Sequence, residues 1–116
     1  MLKQKKGNII NISSIGGQTG GVRAPHYAAA KSAIISLTRS FANLLSKSNV
    51  RVNCIAPGPI QTDLLRGITD TQIKKITSQQ VIPKQFQKED VCDLVEILLD
   101  QKASSLSGQI LNIGGV

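Results

Sequence analysis

The 116-residue chain carries 14 Lys and Arg against 7 Asp and Glu, a net charge of +7. That length suffices for one domain but is short for a complete doubly wound α/β sheet. Hydrophobic residues make up 41% and aromatics only 3%, so a core must be built from Ile, Leu, Val and Ala, and stacking platforms for nucleic-acid bases are scarce. The positive charge is dispersed, with Lys3, Lys5 and Lys6 at the N-terminus and single basic residues or the pair Lys74–Lys75 elsewhere. A solvated surface is the expectation, with neither nucleic acid nor a membrane as partner.

In chain order, "GNIINISS" (residues 7–14) is a short Ile-rich run bounded by glycine, which reads as a buried parallel strand, interior rather than edge. "IGGQTGGVRAP" (residues 15–25) holds four glycines and a proline and reads as a loop. From 26 to 47 the period is helical. Ile34, Leu37, Phe41 and Leu44 or Leu45 form the expected apolar face, with Arg39, Asn43 and Lys47 toward water. "NVRVNCIAP" (residues 49–57) is a second strand, and a loop follows it. A weakly periodic helix is expected over 71–80. A firmer one spans 88–100, with Val91, Leu94, Val95, Leu98 and Leu99 on its apolar face and Glu89 and Asp90 at the positive end of its dipole. "SGQILNIGG" (residues 107–115) is the third strand. Strand-helix alternation implies three parallel strands with covering helices and right-handed crossovers, in a single partial α/β domain over 1–116 that amounts to half of a doubly wound, Rossmann-like sheet.

Cys54 and Cys92 are isolated, with no CxxC and no His–Cys cluster. They read as reduced thiols of a cytoplasmic protein, and no metal site is expected.

The chemistry-bearing constellation is Ser14, Tyr27 and Lys31. Tyr27 and Lys31, four residues apart, share one helix face. Ser14 ends the preceding strand, at the edge where ligands bind in open α/β sheets. A phenol titrates near about 10, too high for ready proton transfer in both directions at neutral pH. An ammonium ~4–5 Å away favours a phenolate by roughly 3–4 kcal/mol at an effective dielectric near 20, and burial opposes part of that. A serine hydroxyl beside them orients a carbonyl and stabilises developing oxyanion character. Each feature alone has an ordinary structural reading, a packed ring beside a surface charge or a serine turn.

The whole arrangement is more specific. "GNIINISS", "HYAAAKSAIISLTRSFANLL", "VRVNCIAPGPIQTDL" and "SGQILNIGG" together resemble the second half of the short-chain dehydrogenase/reductase family, in particular its 3-oxoacyl-[acyl-carrier-protein] reductase-like members. The resemblance implies an NAD- or NADP-dependent oxidoreductase acting on a small carbonyl or alcohol, with a 3-oxoacyl thioester as one candidate. By it, Tyr27 is the general acid/base, Lys31 lowers the phenol's pKa and holds the nicotinamide ribose, and Ser14 positions substrate. The family's Ser-to-Tyr spacing of thirteen selects Ser14 over Ser13. Pro57 and Gly58 correspond to its Pro-Gly turn, with Ile60 and Thr62 contacting the nicotinamide carboxamide. Residues 62–83 correspond to its variable substrate lid, where Ile68, Ile73, Ile76, Val81 and Ile82 line an apolar pocket or form lid core. His26, Asn53 and Cys54 are expected to be structural. The implied parent is a homotetramer or homodimer.

The resemblance also implies what is missing. The family's N-terminal half, with its glycine-rich phosphate turn, acidic or basic selector, Asn-Ala-Gly strand and catalytic Asn, has no counterpart in this sequence. "IGGQTGG" lies between Ser14 and Tyr27 and is not that phosphate turn. The expectation is therefore a partial domain: a partial sequence, a truncated gene or one half of a split enzyme. The alternative function is an inactive remnant or interaction piece.

Overall fold

A computed structural model describes residues 1–21 and 24–115, apart from the side chain of Leu64. Its elements are β1 (Gly7–Ile12), α1 (Gly16–Thr19), α2 (Pro25–Leu44), β2 (Val50–Pro57), α3 (Asp70–Thr77), α4 (Lys88–Leu99) and β3 (Ile110–Ile113), with 3-10 turns at Ser46–Ser48, Asp63–Leu65 and Gln101–Ala103. The strands form one parallel sheet in the order β1-β2-β3, with Gly7 opposite Val50, Ile12 opposite Ile55, and Cys54 opposite Ile110. Three parallel strands with covering helices are thus observed as expected.

β2 is the spine of the sheet. Val52, Asn53, Cys54, Ile55 and Ala56 are all essentially inaccessible, as befits a parallel strand paired on both edges and covered on both faces. On one face Ile55, Leu98, Phe86 and Ile113 form the core, with Ile10, Ile60, Val91, Leu94, Val95, Leu106 and Leu111 packed around them. On the other face lies α2, with Ile35 and Thr38 buried along it and Ala28 buried beside Gly21. Asn11 Nδ2 donates to Thr38 Oγ1 at 2.9 Å there, and Thr38 Oγ1 donates to the Ile34 carbonyl at 2.8 Å.

Polar side chains inside the fold are matched to main-chain groups. Asn53 donates from Nδ2 to the Leu106 carbonyl at 2.8 Å and accepts the Gln109 N–H at 3.0 Å, bridging β2 to the approach of β3. Arg51 donates to the Leu98 and Ala103 carbonyls, both at 2.8 Å, placing its charge at the negative end of α4.

β1 lies at the end of the sheet, and among the described residues nothing pairs with its outer edge, although its isoleucines suit an interior strand. Several other expectations are corrected. α2 ends at Leu44, and the chain leaves through a 3-10 turn and Asn49 in the left-handed region (φ 51°). The expected apolar face of that helix is outward. Leu37 is 49%, Phe41 40% and Leu44 72% exposed, because the sheet takes the smaller residues and a close approach. Leu99 likewise faces out at 55%, whereas Leu98 is fully buried. The loop over 15–25 contains α1, and its positions 22 and 23 lie outside the described residues. The helix expected over 71–80 is Asp70–Thr77, started by a capping box in which Thr69 and Gln72 exchange side-chain-to-backbone hydrogen bonds.

The two cysteines lie in opposite environments, Cys54 buried and Cys92 exposed. Burial in the sheet pushes the Cys54 thiol up from its ordinary value, outweighing the hydrogen bonds from Ser13 and Thr38 and the charge of Lys31. Because the thiolate is the nucleophile, iodoacetamide at pH 8 should modify Cys92 and spare Cys54 until denaturant is added. Mass spectrometry of the digested protein checks this, and equal modification of both would contradict the burial of β2.

Candidate active site

The carboxyl end of the sheet gathers the sequence-selected residues. β1 ends at Ile12, and the two serines that follow take different environments. Ser13 is 3% exposed and turns its hydroxyl toward α2, donating to the Lys31 carbonyl at 2.7 Å. Ser14 is half-buried on the loop above, where its Oγ accepts the Gly16 N–H at 3.1 Å.

α2 begins at Pro25, whose fixed φ suits a first helical turn. Tyr27 and Lys31 follow one turn apart, with Lys31 Nζ 5.7 Å from the Tyr27 ring centroid. Nζ also donates to the Ile12 carbonyl at 3.1 Å, so the ammonium is tied to the end of β1. Tyr27 is 38% exposed, leaving its ring accessible from solvent.

α1 brings the serine to the tyrosine. A methyl placed at Gly16 would lie 3.6 Å from Ser14 Oγ and 4.0 Å from Tyr27 Cε1, so both groups flank that one point. A methyl at Gly17 would lie 2.8 Å from the Lys31 carbonyl carbon and 3.0 Å from its oxygen. The α1 backbone is therefore pressed against the Lys31 turn at a distance that only glycine permits. Ser14 and Tyr27 thus lie on either side of α1's first residue, with the Lys31 ammonium beside the Tyr27 ring.

The second group of expected residues follows β2. The Pro57 carbonyl accepts the Ile15 N–H at 3.0 Å, and the Gly58 N–H donates to the Ile113 carbonyl at 3.0 Å. The turn is thus pinned between the Ser14 loop and the end of β3. Beyond it, Ile60 forms a parallel bridge with Phe86: the Phe86 N–H donates to Pro59 at 3.2 Å and the Gln61 N–H donates to Phe86 at 2.9 Å. A parallel bridge of this kind uses the peptide groups on either side of Ile60, so Ile60's own N–H and C=O point the opposite way. Thr62 Oγ1 donates to the Ile60 carbonyl at 3.4 Å on that side, which leaves the hydroxyl's lone pairs and the carbonyl's second lone pair as acceptors beside the Ile60 N–H.

His26 is exposed beside Tyr27, and Asn53 and Cys54 are buried within β2. Ile76, Val81 and Ile82 are exposed at 40%, 72% and 50%, so these three members of the 62–83 segment are not its core. Ser13, Gly17 and Gln18 were missed as contributors. Gln18 Nε2 donates to Asn112 Oδ1 at 2.6 Å, joining α1 to β3. The adjacent glycines at 16 and 17 were the available signal for a close approach. Among the described residues no cluster of metal-ligating side chains occurs, and no helix is long and apolar enough to cross a membrane.

Residues 1–115 match the family described as Enoyl-(Acyl carrier protein) reductase. The chain is 34% identical to the uncharacterized oxidoreductase YmfI of Bacillus subtilis, over 99% of this chain and 48% of that protein. It is 35% identical to the 3-oxoacyl-[acyl-carrier-protein] reductase FabG of Aquifex aeolicus, over 99% of this chain and 46% of that one. Among solved structures, a short-chain type dehydrogenase/reductase from Mycobacterium ulcerans superposes with a TM-score of 0.91 at 33% identity, covering 97% of this chain and 42% of that one. A 3-oxoacyl-[acyl-carrier protein] reductase from Brucella melitensis gives 0.88 at 32% identity, covering 100% and 44%. The chain spans under half the length of these relatives.

The glycine geometry separates two neighbouring substitutions. Gly17→Ala should lower stability by about 1–3 kcal/mol, since the Lys31 backbone cannot yield. Gly16→Ala meets only ordinary contacts and should stay within roughly 1 kcal/mol of the parent or gain slightly. Urea denaturation of both variants tests this, and equal midpoints would contradict the close approach of α1 to α2.

Proposed function

This chain belongs to the short-chain dehydrogenase/reductase family of oxidoreductases, and on that premise we propose that it forms the catalytic portion of an NAD- or NADP-dependent reductase of small carbonyl compounds. The observation that carries the reading is the placing of Ser14 and Tyr27 on either side of Gly16, with the Lys31 ammonium beside the Tyr27 ring and tied to the carboxyl end of β1. Relatives named as 3-oxoacyl-[acyl-carrier-protein] reductases favour a 3-oxoacyl thioester as substrate.

The residues present fit the nicotinamide end of such a cofactor. A carboxamide needs both an acceptor and a donor, which Ile60's outward peptide groups and the Thr62 hydroxyl supply, with Pro57 and Gly58 holding the turn in place. When bound, the cofactor supplies the hydride that reduces the carbonyl carbon. Ser14 Oγ donates to the substrate carbonyl oxygen and holds it toward Tyr27. Tyr27 Oη gives that oxygen a proton as alkoxide character develops, and takes one back in the oxidative direction. Lys31, anchored on the Ile12 carbonyl beside the ring, stabilises the phenolate left behind and is placed to hold the nicotinamide ribose.

Segment 62–83 is read as the substrate lid, its exposed Ile76, Val81 and Ile82 offering apolar contact to an acyl chain. The outward stripe of Leu37, Phe41 and Leu44 on α2 suits the subunit contact of a homodimeric or homotetrameric parent. The working compartment is the cytoplasm.

The coverage of under half of each relative, together with the open edge of β1, supports a second reading for the isolated 116 residues, an inactive piece in want of the pyrophosphate and adenosine sites. Titrating the 116-residue chain with NADH and NADPH, read by cofactor fluorescence, should show no tight binding. Micromolar affinity would overturn that second reading. In a polypeptide completed by the remaining half, Tyr27→Phe should lower kcat by ~10³-fold or more while leaving cofactor affinity near the parent's. Steady-state NADPH oxidation with a 3-oxoacyl thioester measures this, and unchanged turnover would sink the assignment.

A further inference from the structure

Gln80 ends the short turn after α3 and is 8% exposed, unusual for an uncharged polar side chain on a segment whose neighbours face water. Its Nε2 donates to the Lys84 carbonyl at 3.2 Å, while its buried Oε1 has no hydrogen-bond partner among the described residues. The carboxamide lies between two glycines from different strands. A Cβ added at Gly58, after β2, would collide with Gln80 Oε1, and a Cβ added at Gly114, after β3, would collide with the same atom. Cδ would stand 2.9 Å from either. One side chain thus occupies the space of two missing ones.

The residues that follow fasten the same arm. The Ile82 N–H donates to the Gly114 carbonyl at 2.8 Å, and Val81 fills the place of a Cβ on Gly115, where φ is +80°. Phe86 then brackets Ile60 through Pro59 and Gln61. By contrast α3, just before the arm, buries only Thr77. The segment therefore has a free middle and a seated end, and the seat is the turn that carries Ile60 and Thr62.

We propose that Gln80 is the clasp of this segment: it slots between Gly58 and Gly114 and thereby ties the position of residues 62–83 to the Pro57–Gly58 turn. The inference rests on reading 62–83 as a lid and 57–62 as the cofactor turn. The clasp holds by packing. Its buried Oε1 finds no donor among the described residues, an arrangement that disfavours the seated arm.

Limited trypsin digestion of the 116-residue chain tests this without any cofactor. The lid offers Arg66, Lys74 and Lys75, and α2 offers Lys31 and Arg39 as internal controls. Cleavage reports the population of locally opened chain. Gln80→Ala should raise cleavage at the lid sites roughly tenfold relative to the α2 sites. Gln80→Met, which keeps the bulk and deletes the orphan oxygen, should cut at or below the parental rate. Gly58→Ala should expose the lid in the parent but add little in the Gln80→Ala background, because the methyl then enters vacated space. Unchanged lid cleavage in Gln80→Ala, lid and α2 sites rising together, or additive effects of the two substitutions would each overturn the clasp. Cofactor binding takes no part in this readout, so failure of the cofactor reading leaves the result interpretable.

Discussion

The hydrogen bond from the buried Ser13 Oγ to the half-buried Lys31 carbonyl, 2.7 Å long, sets the height at which α2 rests on the sheet. Lys31 answers it in the other direction, sending its ammonium to the Ile12 carbonyl one residue before Ser13. The strand end and the helix are thereby laced together at a single turn. Gly17 presses α1 against the same turn, and α1 carries the loop that holds Ser14. A shift of α2 by one turn would move Tyr27 about 5.4 Å and separate it from Ser14. The geometry of the trio is a consequence of this lacing.

The lacing in turn needs a rigid strand beneath it, and β2 supplies one. It is paired on both edges, sealed on both faces and tied by Asn53 to residues 106 and 109. Its continuation is the Pro57 turn, so the trio on one side and the Ile60–Thr62 groups on the other are referred to one scaffold. Preorganisation of this kind is what an acid/base site requires, since groups already in place need no reorganisation as charge develops. The sheet itself stops at β1. An edge strand as rich in isoleucine as β1 is better suited to an interior position, which accords with a chain spanning under half of its relatives.

The large features were legible because they rest on local pattern. Short aliphatic runs bounded by turn residues revealed all three strands, and periodicity revealed α2 and α4. The misses have tertiary causes. α1 contains two glycines in four residues, and its short turn is held by contacts from Pro57 and Lys31 that no window of sequence reveals. β3 is shorter than its apolar pattern because side chains replace part of its ladder, Ser107 Oγ accepting the Val52 N–H and Asn53 Oδ1 the Gln109 N–H. The bulky stripe of α2 misled about its buried face, which is made by Ala28, Ile35 and Thr38. Of the candidate site, the proximity of Ser14, Tyr27 and Lys31 was readable from spacing and resemblance. Ser13, Gly17 and Gln80 were not, for their roles depend on who approaches them.

The central claim is spatial: one carbonyl oxygen is to be met at once by Ser14 and Tyr27, with Lys31 beneath. A crystal structure of the completed polypeptide with NADP and a bound 3-oxoacyl or small ketone ligand tests that most directly. The ligand's carbonyl oxygen is expected within hydrogen-bonding distance of both Ser14 Oγ and Tyr27 Oη, beside Gly16. A ligand carbonyl seated elsewhere, with Ser14 and Tyr27 turned away from it, would refute a shared role for the two hydroxyls.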